Sequence, residues 1–262
     1  MYIDSHCHLD DARFDLHQAE LIADASAVGV EQIVVPSVWS THWGAVAGLA
    51  DHFDGVHGAY GLHPWFLASA ANDPDENQAD DLIRQLDDWL CNHSAVAVGE
   101  CGLDFSRRFD EAQRALQQPL FQAQIELAQR HQLPLIIHGH KALDRVIHLL
   151  SRYSGARGVV HRFDGSLQQA QQLIEMGFFI GVAAGITFPR QRRLRQVIAQ
   201  LPVTSLLLET DAPDLPPAGS SGSLNQPSLL PKIADVLAEL LASTRAEVAA
   251  QTSENSRKLF GI

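Results

Sequence analysis

Lysine is nearly missing from this chain: Lys141, Lys232 and Lys258 are the only three in 262 residues, against 13 histidines. Cysteine is as scarce. Cys7, Cys91 and Cys101 are too few and too scattered for a disulfide framework, and none forms a C-x-x-C pair, which points to a reducing compartment. No apolar run approaches the roughly 18 residues of a membrane-spanning helix. Residues 1–6 show no basic stretch leading into an apolar one, so no secretory signal is expected and the cytoplasm is the default. No G-x-G-x-x-G follows the first apolar run, which argues against the phosphate loop of an open doubly wound sheet. Positive charge is in deficit as well. A net charge of −12 repels nucleic acid and anionic membranes unless something local reverses the field. What is present, 46% hydrophobic and 19% charged residues, supplies a large core and excludes disorder and collagen. The length admits either two domains or one α/β barrel.

Eight short apolar runs recur along the chain, at residues 2–6, 32–36, 56–61, 96–100, 135–138, 158–161, 178–182 and 205–209. Polar residues, glycine or proline bound each of them, as expected of strands buried on both faces. Helical patterns lie between, with apolar residues at intervals of three and four, as at residues 111–131 and 167–176. The alternation predicts a (β/α)8 TIM barrel that fills residues 1–262 as a single domain. Residues 211–228 follow the eighth strand and read as a long loop at the active face rather than a linker. Helices over 231–242 and 244–260 close the chain, the second opening on the capping box Thr244-Arg245-Ala246-Glu247.

The titratable residues are informative by position. His6 and His8 end the first strand, His63 follows the third, Glu100 ends the fourth, His138 the fifth and His161 the sixth, and Asp211 lies just past the eighth. In a barrel all eight strand C-termini ring one face, so these side chains converge despite their separation in sequence. His6 and His8, at i and i+2, point to the same side while Cys7 turns away. The set of His6, His8, Glu100, His138, His161 and Asp211 exceeds what one tetrahedral ion needs and points to two ions. His6, His8 and Asp211 make a set for one, and His138 with His161 for the other. No lysine stands at the end of the fourth strand to form a carbamate bridge, so Glu100 is assigned as the bridging carboxylate. Two ions would turn a shared water into a nucleophile at neutral pH, with Asp211 taking its proton.

Four segments carry a resemblance to a known family: Ile3-Asp4-Ser5-His6-Cys7-His8-Leu9-Asp10, Val98-Gly99-Glu100-Cys101-Gly102-Leu103-Asp104, Pro134-Leu135-Ile136-Ile137-His138 and Leu207-Leu208-Glu209-Thr210-Asp211-Ala212-Pro213. Gly61-Leu62-His63-Pro64 and the closing Leu259-Phe260-Gly261-Ile262 fit too. Together they resemble the TatD family of metal-dependent deoxyribonucleases, within the amidohydrolase-like barrels, over the whole chain. The resemblance implies hydrolysis of phosphodiester bonds in DNA, as an exonuclease on single strands or ends, with magnesium, manganese or zinc. Its metal ligands carry over to the same six residues, and His63 carries over as a contact to substrate phosphate.

Two departures stand out. The family commonly has an arginine two residues past the fifth-strand histidine, where this chain has His140, followed by Lys141. An imidazole does not copy the two-pronged grip of a guanidinium on phosphate. Arg162, after the sixth-strand histidine, stands where family members often carry a small or neutral residue, and is read as the compensating substrate contact along with His140. Arginines cluster at Arg107, Arg108 and Arg114 and at Arg190, Arg192, Arg193 and Arg195, either as solvated helix faces or as guides for a polyanion. Trp65, Phe66, Phe105, Phe163 and Phe188 follow strands and are read as base-stacking platforms or as lid packing. Glu209 is expected to orient a ligand histidine, Asp104 to serve a turn or cap, and Cys101 to face away from the metals. His17, His42, His52, His57, His93, His131 and His148 read as structural or surface residues. The leading expectation is a two-metal DNA hydrolase with no membrane or obligate protein partner. A small-molecule amidohydrolase or phosphoesterase on the same barrel, and a metal-binding protein without turnover, stay open beside it.

Overall fold

The computed structural model describes residues 1–65, 76–220 and 222–262, so Phe66 and Ser221 lie outside the described residues. Eight strands, β1 (Tyr2–Asp4), β2 (Val30–Pro36), β3 (Val56–Tyr60), β4 (Ala97–Asp104), β5 (Leu135–His140), β6 (Gly158–Val160), β7 (Phe178–Val182) and β8 (Leu206–Leu208), lie parallel in one sheet in chain order. Parallel neighbours need crossovers, and helices α1 (Gln18–Ala27), α2 (Trp43–His52), α3 (Glu76–Asn92), α4 (Glu111–Arg130), α5 (Leu143–Leu150), α6 (Leu167–Glu175) and α7 (Arg192–Ile198) supply them, followed by α8 (Leu230–Leu240) and α9 (Arg245–Phe260). The first and last strands meet without forming a ladder. Ser5 N–H donates to the Leu208 carbonyl at 3.0 Å and Asp211 N–H to the His6 carbonyl at 2.9 Å. The result is the (β/α)8 TIM barrel that the alternation predicts. The predicted cap forms too: Thr244 and Glu247 make the reciprocal capping box of α9.

Val34, Ala59, Ala97, Ile136, Val159 and Leu207, one from each of six strands, pack into one cluster with Leu259 and Phe260 at the end of α9. Side chains of six strands meet in this way only inside the barrel. The two-residue period of a strand then places His138 two beyond Ile136, His161 two beyond Val159 and Glu209 two beyond Leu207, on the same inner side and one layer higher.

β4 departs from the sequence reading in a way that matters. It runs on to Asp104, so Glu100 lies within the strand rather than at its end. Val98 pairs with Leu135 and Cys101 with Ile137, so three residues of β4 span two of β5. This bulge resets the alternation. Cys101 is turned onto main-chain carbonyls, with Sγ 3.5 Å from the Ile136 oxygen, while Glu100 and Asp104 both reach His138 on the inner side. No helix among the described residues is long and apolar enough to cross a membrane.

Candidate metal centre at the active face

The two oxygens of Glu100 face different histidines. Oε2 lies 3.3 Å from His6 Nε2 and 3.6 Å from His8 Nε2, while Oε1 lies 2.7 Å from His161 Nε2, 3.0 Å from His138 Nδ1 and 3.2 Å from His63 Nε2. Asp211 Oδ1 stands 3.7 Å from both His6 and His8. Ring nitrogens also face one another, His6 Nε2 and His8 Nε2 at 3.1 Å and His138 Nδ1 and His161 Nε2 at 3.3 Å. Ligands bound at zinc-type distances around a tetrahedral ion sit about 3.3 Å apart, so these separations fit nitrogen and oxygen ligands closing on a cation. Among the described residues, three overlapping groups have ligand atoms close enough to hold an ion: His6, His161 and Asp211; His6, His8 and Glu100; His63, Glu100 and His138. The donor set of imidazoles and two carboxylates suits a divalent metal. A fourth group, Asp87, Cys91 and His131, lies at the α3–α4 contact, where Arg130 and His131 already engage Asp87.

Neighbouring groups hold the rings in place. His8 Nδ1 is 3.1 Å from the Pro36 carbonyl, which makes Nδ1 the donor and leaves the Nε2 lone pair facing the site. His138 Nε2 lies 3.5 Å from Asp104 Oδ2, leaving Nδ1 free to face Glu100. The Trp65 main-chain N–H donates to His63 Nδ1 at 3.0 Å, so His63 carries its proton on Nε2, beside Glu100. Glu209 accepts from the Arg162 main-chain N–H and stands 3.9 Å from His161 Nδ1. Only a glycine at 181 leaves room for it: a Cβ there would lie 2.6 Å from Glu209 Oε2. Asp4, fully buried, accepts from the main-chain N–H and the hydroxyl of Thr210, at 2.9 and 2.5 Å, and so joins the ends of β1 and β8. Arg162 (φ 45°) and Asp211 (φ 57°) both adopt the left-handed conformation that non-glycine residues rarely take. Arg162 Nη1 donates to Asp211 Oδ2 at 3.1 Å.

The electrostatics divide the histidines. Burial pushes His63 down to about 4 and His161 down to about 3, so both stay neutral. Burial also opposes charge on His138, but hydrogen bonds to Asp104 and Glu100 outweigh it and push that ring up to about 9. Burial opposes charge on Glu100 too, yet His6 and the hydrogen bond to the His138 ring hold the carboxyl well below the usual range. Glu209 behaves oppositely, raised well above it by burial and by the Asp211 charge.

All six expected ligands thus converge, with His63 buried among them. His140 ends β5 and lines a small recess with Arg162 beside His138. Asp104 does accept the Ser106 N–H at 2.7 Å, as a turn residue does, but its contact with His138 was not expected from sequence. Nor was His42, which bonds Asp10 at 2.9 Å and lines the metal pocket. Phe163 is packed into the core and is no stacking platform. Arg114 is spent on the Ser106 carbonyl, and Arg108 lies 3.9 Å above the Trp65 ring. Gln117 and Gln124 of α4, silent in the sequence, pair with the backbone of Asp104 and Leu62.

Comparison with known proteins agrees with this geometry. The chain is 39% identical to the uncharacterized metal-dependent hydrolase YjjV of Escherichia coli, over all of this chain and 98% of that one. It is 32% identical to the 3′-5′ ssDNA/RNA exonuclease TatD of Klebsiella pneumoniae, covering 97% of this chain and 96% of the relative. The crystal structure of the E. coli YjjV protein superposes with a TM-score of 0.87 at 36% identity, over 100% and 98% of the two chains. The family model described as TatD related DNase matches residues 3–261. With strand-end histidines and carboxylates gathered as such a hydrolase requires, the chain belongs to the TatD-related DNase family of metal-dependent hydrolases.

Proposed function

We propose that this chain is a single-domain exonuclease of the cytoplasm that hydrolyses phosphodiester bonds of DNA, at single strands or duplex ends, with two divalent ions. The observation that carries the reading is Glu100, whose Oε2 faces His6 and His8 while its Oε1 faces His138 and His161. The exonuclease name of a full-length relative supports a nucleic-acid substrate. Three free cysteines suit a reducing compartment. His6, His8 and Asp211 would hold one ion and His138 and His161 the other, with Glu100 within reach of both sets. Bound there, magnesium, manganese or zinc supplies Lewis acidity and a lowered water pKa.

The protein's own groups do the rest. Asp211, held ionised by His6 and Arg162 against the effect of burial, accepts the proton of the attacking water. Arg162 keeps that carboxylate in place through its 3.1 Å hydrogen bond and, half-exposed, offers its remaining N–H groups to phosphate. His63, neutral with its proton on Nε2, and His140 donate to the non-bridging oxygens. The charge of −12 stops being an obstacle when two ions bring +4 to the scissile group.

The test uses 5′- and 3′-labelled single-stranded DNA with Mg²⁺ or Mn²⁺, run beside phosphodiester and amide chromogens. Stepwise shortening from one end is the expected result. DNA left intact under every metal while an amide turns over would replace this reading with a small-molecule amidohydrolase. Turnover of none of them would leave a metal-binding protein.

A further inference from the structure

A second recess adjoins the metal centre. The ends of β6 and β7 and the loop after β8 enclose a groove of about 380 Å³, within the range of pockets that take small molecules. Phe188 and Leu215 line it with Ile186 and Leu194, and Arg190 and Arg193 stand among its lining residues. Arg162 belongs to both recesses, lining this groove and bonding Asp211 in the metal pocket.

The groove is built rather than incidental. Thr187 Oγ1 donates to the Ala184 carbonyl at 2.6 Å and accepts the Ala218 N–H at 2.9 Å, which ties the segment after β7 to the loop after β8. Leu215 is 48% exposed and held at φ 49°, so the chain takes a rare conformation there while leaving a large apolar side chain partly in water. Arg190 places its guanidinium 5.2 Å over the Phe188 ring, and Arg190 and Arg193 are both exposed and form no ion pair among the described residues. In a chain of charge −12, two unpaired guanidinium groups beside an aromatic face are a local reversal of the field.

We infer that this groove receives the nucleotide next to the scissile phosphate, with its base against Phe188 and Leu215 and its outer phosphate on Arg190 and Arg193. The inference rests on the nuclease reading above and names where the strand runs. An apolar ligand would leave both guanidinium groups without a partner, and a simple anion would leave the aromatic and aliphatic wall unused. A nucleotide uses both, and Arg162 makes the groove continuous with the metal pocket. Stacking on a side-chain face accepts any base, so the groove binds without sequence preference.

The experiment compares kcat/KM on single-stranded DNA with kcat/KM on a phosphodiester chromogen that carries no neighbouring nucleotide. Phe188→Ala should lower the ratio of the two by about tenfold, with the loss in KM for DNA, and Phe188→Trp should restore it. Arg190→Glu combined with Arg193→Glu should lower the ratio further and flatten its dependence on salt. Both arginines are exposed, so the charge variant tests the groove even where Phe188→Ala does not fold. A ratio unchanged in the charge variant, with the parent protein cutting DNA, would overturn the groove assignment. A parent protein that turns over the chromogen but leaves DNA intact would instead overturn the nuclease reading, and the groove assignment with it.

Discussion

Asp104 Oδ2 stands 3.5 Å from Nε2 of His138 and accepts the Trp65 indole N–H at 2.8 Å. The carboxylate holds the ring so that Nδ1 lies 3.0 Å from Glu100 and 3.3 Å from His161. Gln117 of α4 in turn grips both sides of the Asp104 backbone, accepting its N–H at 2.9 Å and donating to its carbonyl at 3.0 Å. Packing of a helix on the barrel wall is thereby transmitted through one acid to a ring nitrogen of the candidate metal centre.

Asp104→Asn keeps the shape and removes the charge. The metal affinity of the centre is expected to fall about 10- to 100-fold, as for other lost carboxylate–histidine contacts. Titration with Mn²⁺ or Zn²⁺ measures it, and an unchanged affinity would reduce Asp104 to a turn residue.

The proposed bridging role of Glu100 makes the metal count a test. Elemental analysis of the protein after Mn²⁺ loading is expected to find two ions per chain, and Glu100→Gln to lose at least one. A single fully occupied ion in the parent protein, seen by anomalous scattering, would remove the bridging role.

Metal binding should depend on pH through His138. With that ring pushed up to about 9, it is protonated at pH 7 in the metal-free protein, and an ion must displace the proton. Affinity therefore rises with pH up to about 9 and levels off above it. Calorimetry in buffers of different ionisation enthalpy should detect proton release at pH 7.5, and less of it in Asp104→Asn, which lacks a charge that holds the proton. Affinity independent of pH between 7 and 9 would contradict the assignment.

Asp211→Asn should weaken metal binding and, at saturating metal, still lower kcat on DNA by about 10²- to 10⁴-fold, the contribution of a positioned proton acceptor. Single-turnover rates beside metal content separate the two effects. Full activity in this variant would send the proton elsewhere.

Gln124 offers a stability test away from the chemistry. Fully buried, it accepts the Leu62 N–H at 2.7 Å and donates to the Leu62 carbonyl at 3.0 Å, just before His63. Gln124→Ala leaves two buried backbone groups unpaired, a cost of about 2–4 kcal/mol. Urea denaturation reads it, and a loss below about 0.5 kcal/mol would mean that the backbone finds other partners.

Much of the barrel was legible because its signals are local. Each strand is a short apolar run between breakers, and the i, i+2 spacing of His6 and His8 puts two imidazoles on one side whatever follows. β4 was the exception. Ala97 and Glu100, three residues apart, both face inward because the bulge between Val98 and Cys101 breaks the two-residue period, which then resumes through Asp104. A reading by period ends such a strand early. Phe163 shows the same limit from another direction: its type and position fit a stacking platform, and packing buried it.

The chain's own pattern of apolar runs and strand-end histidines determined the barrel and which six side chains meet at its active face, and its scarce lysine is what makes a carboxylate, rather than a carbamate, the expected bridge. Only the tertiary structure decided which oxygen of Glu100 faces which histidine, that Asp104 lies against the His138 ring, and that Arg162 rests on Asp211. Only it brought Phe188, Leu215 and two arginines around one groove. The physical reason is that periodicity fixes the side of an element a residue occupies. Register, bulges and packing between segments up to about 200 residues apart decide which atom it meets there.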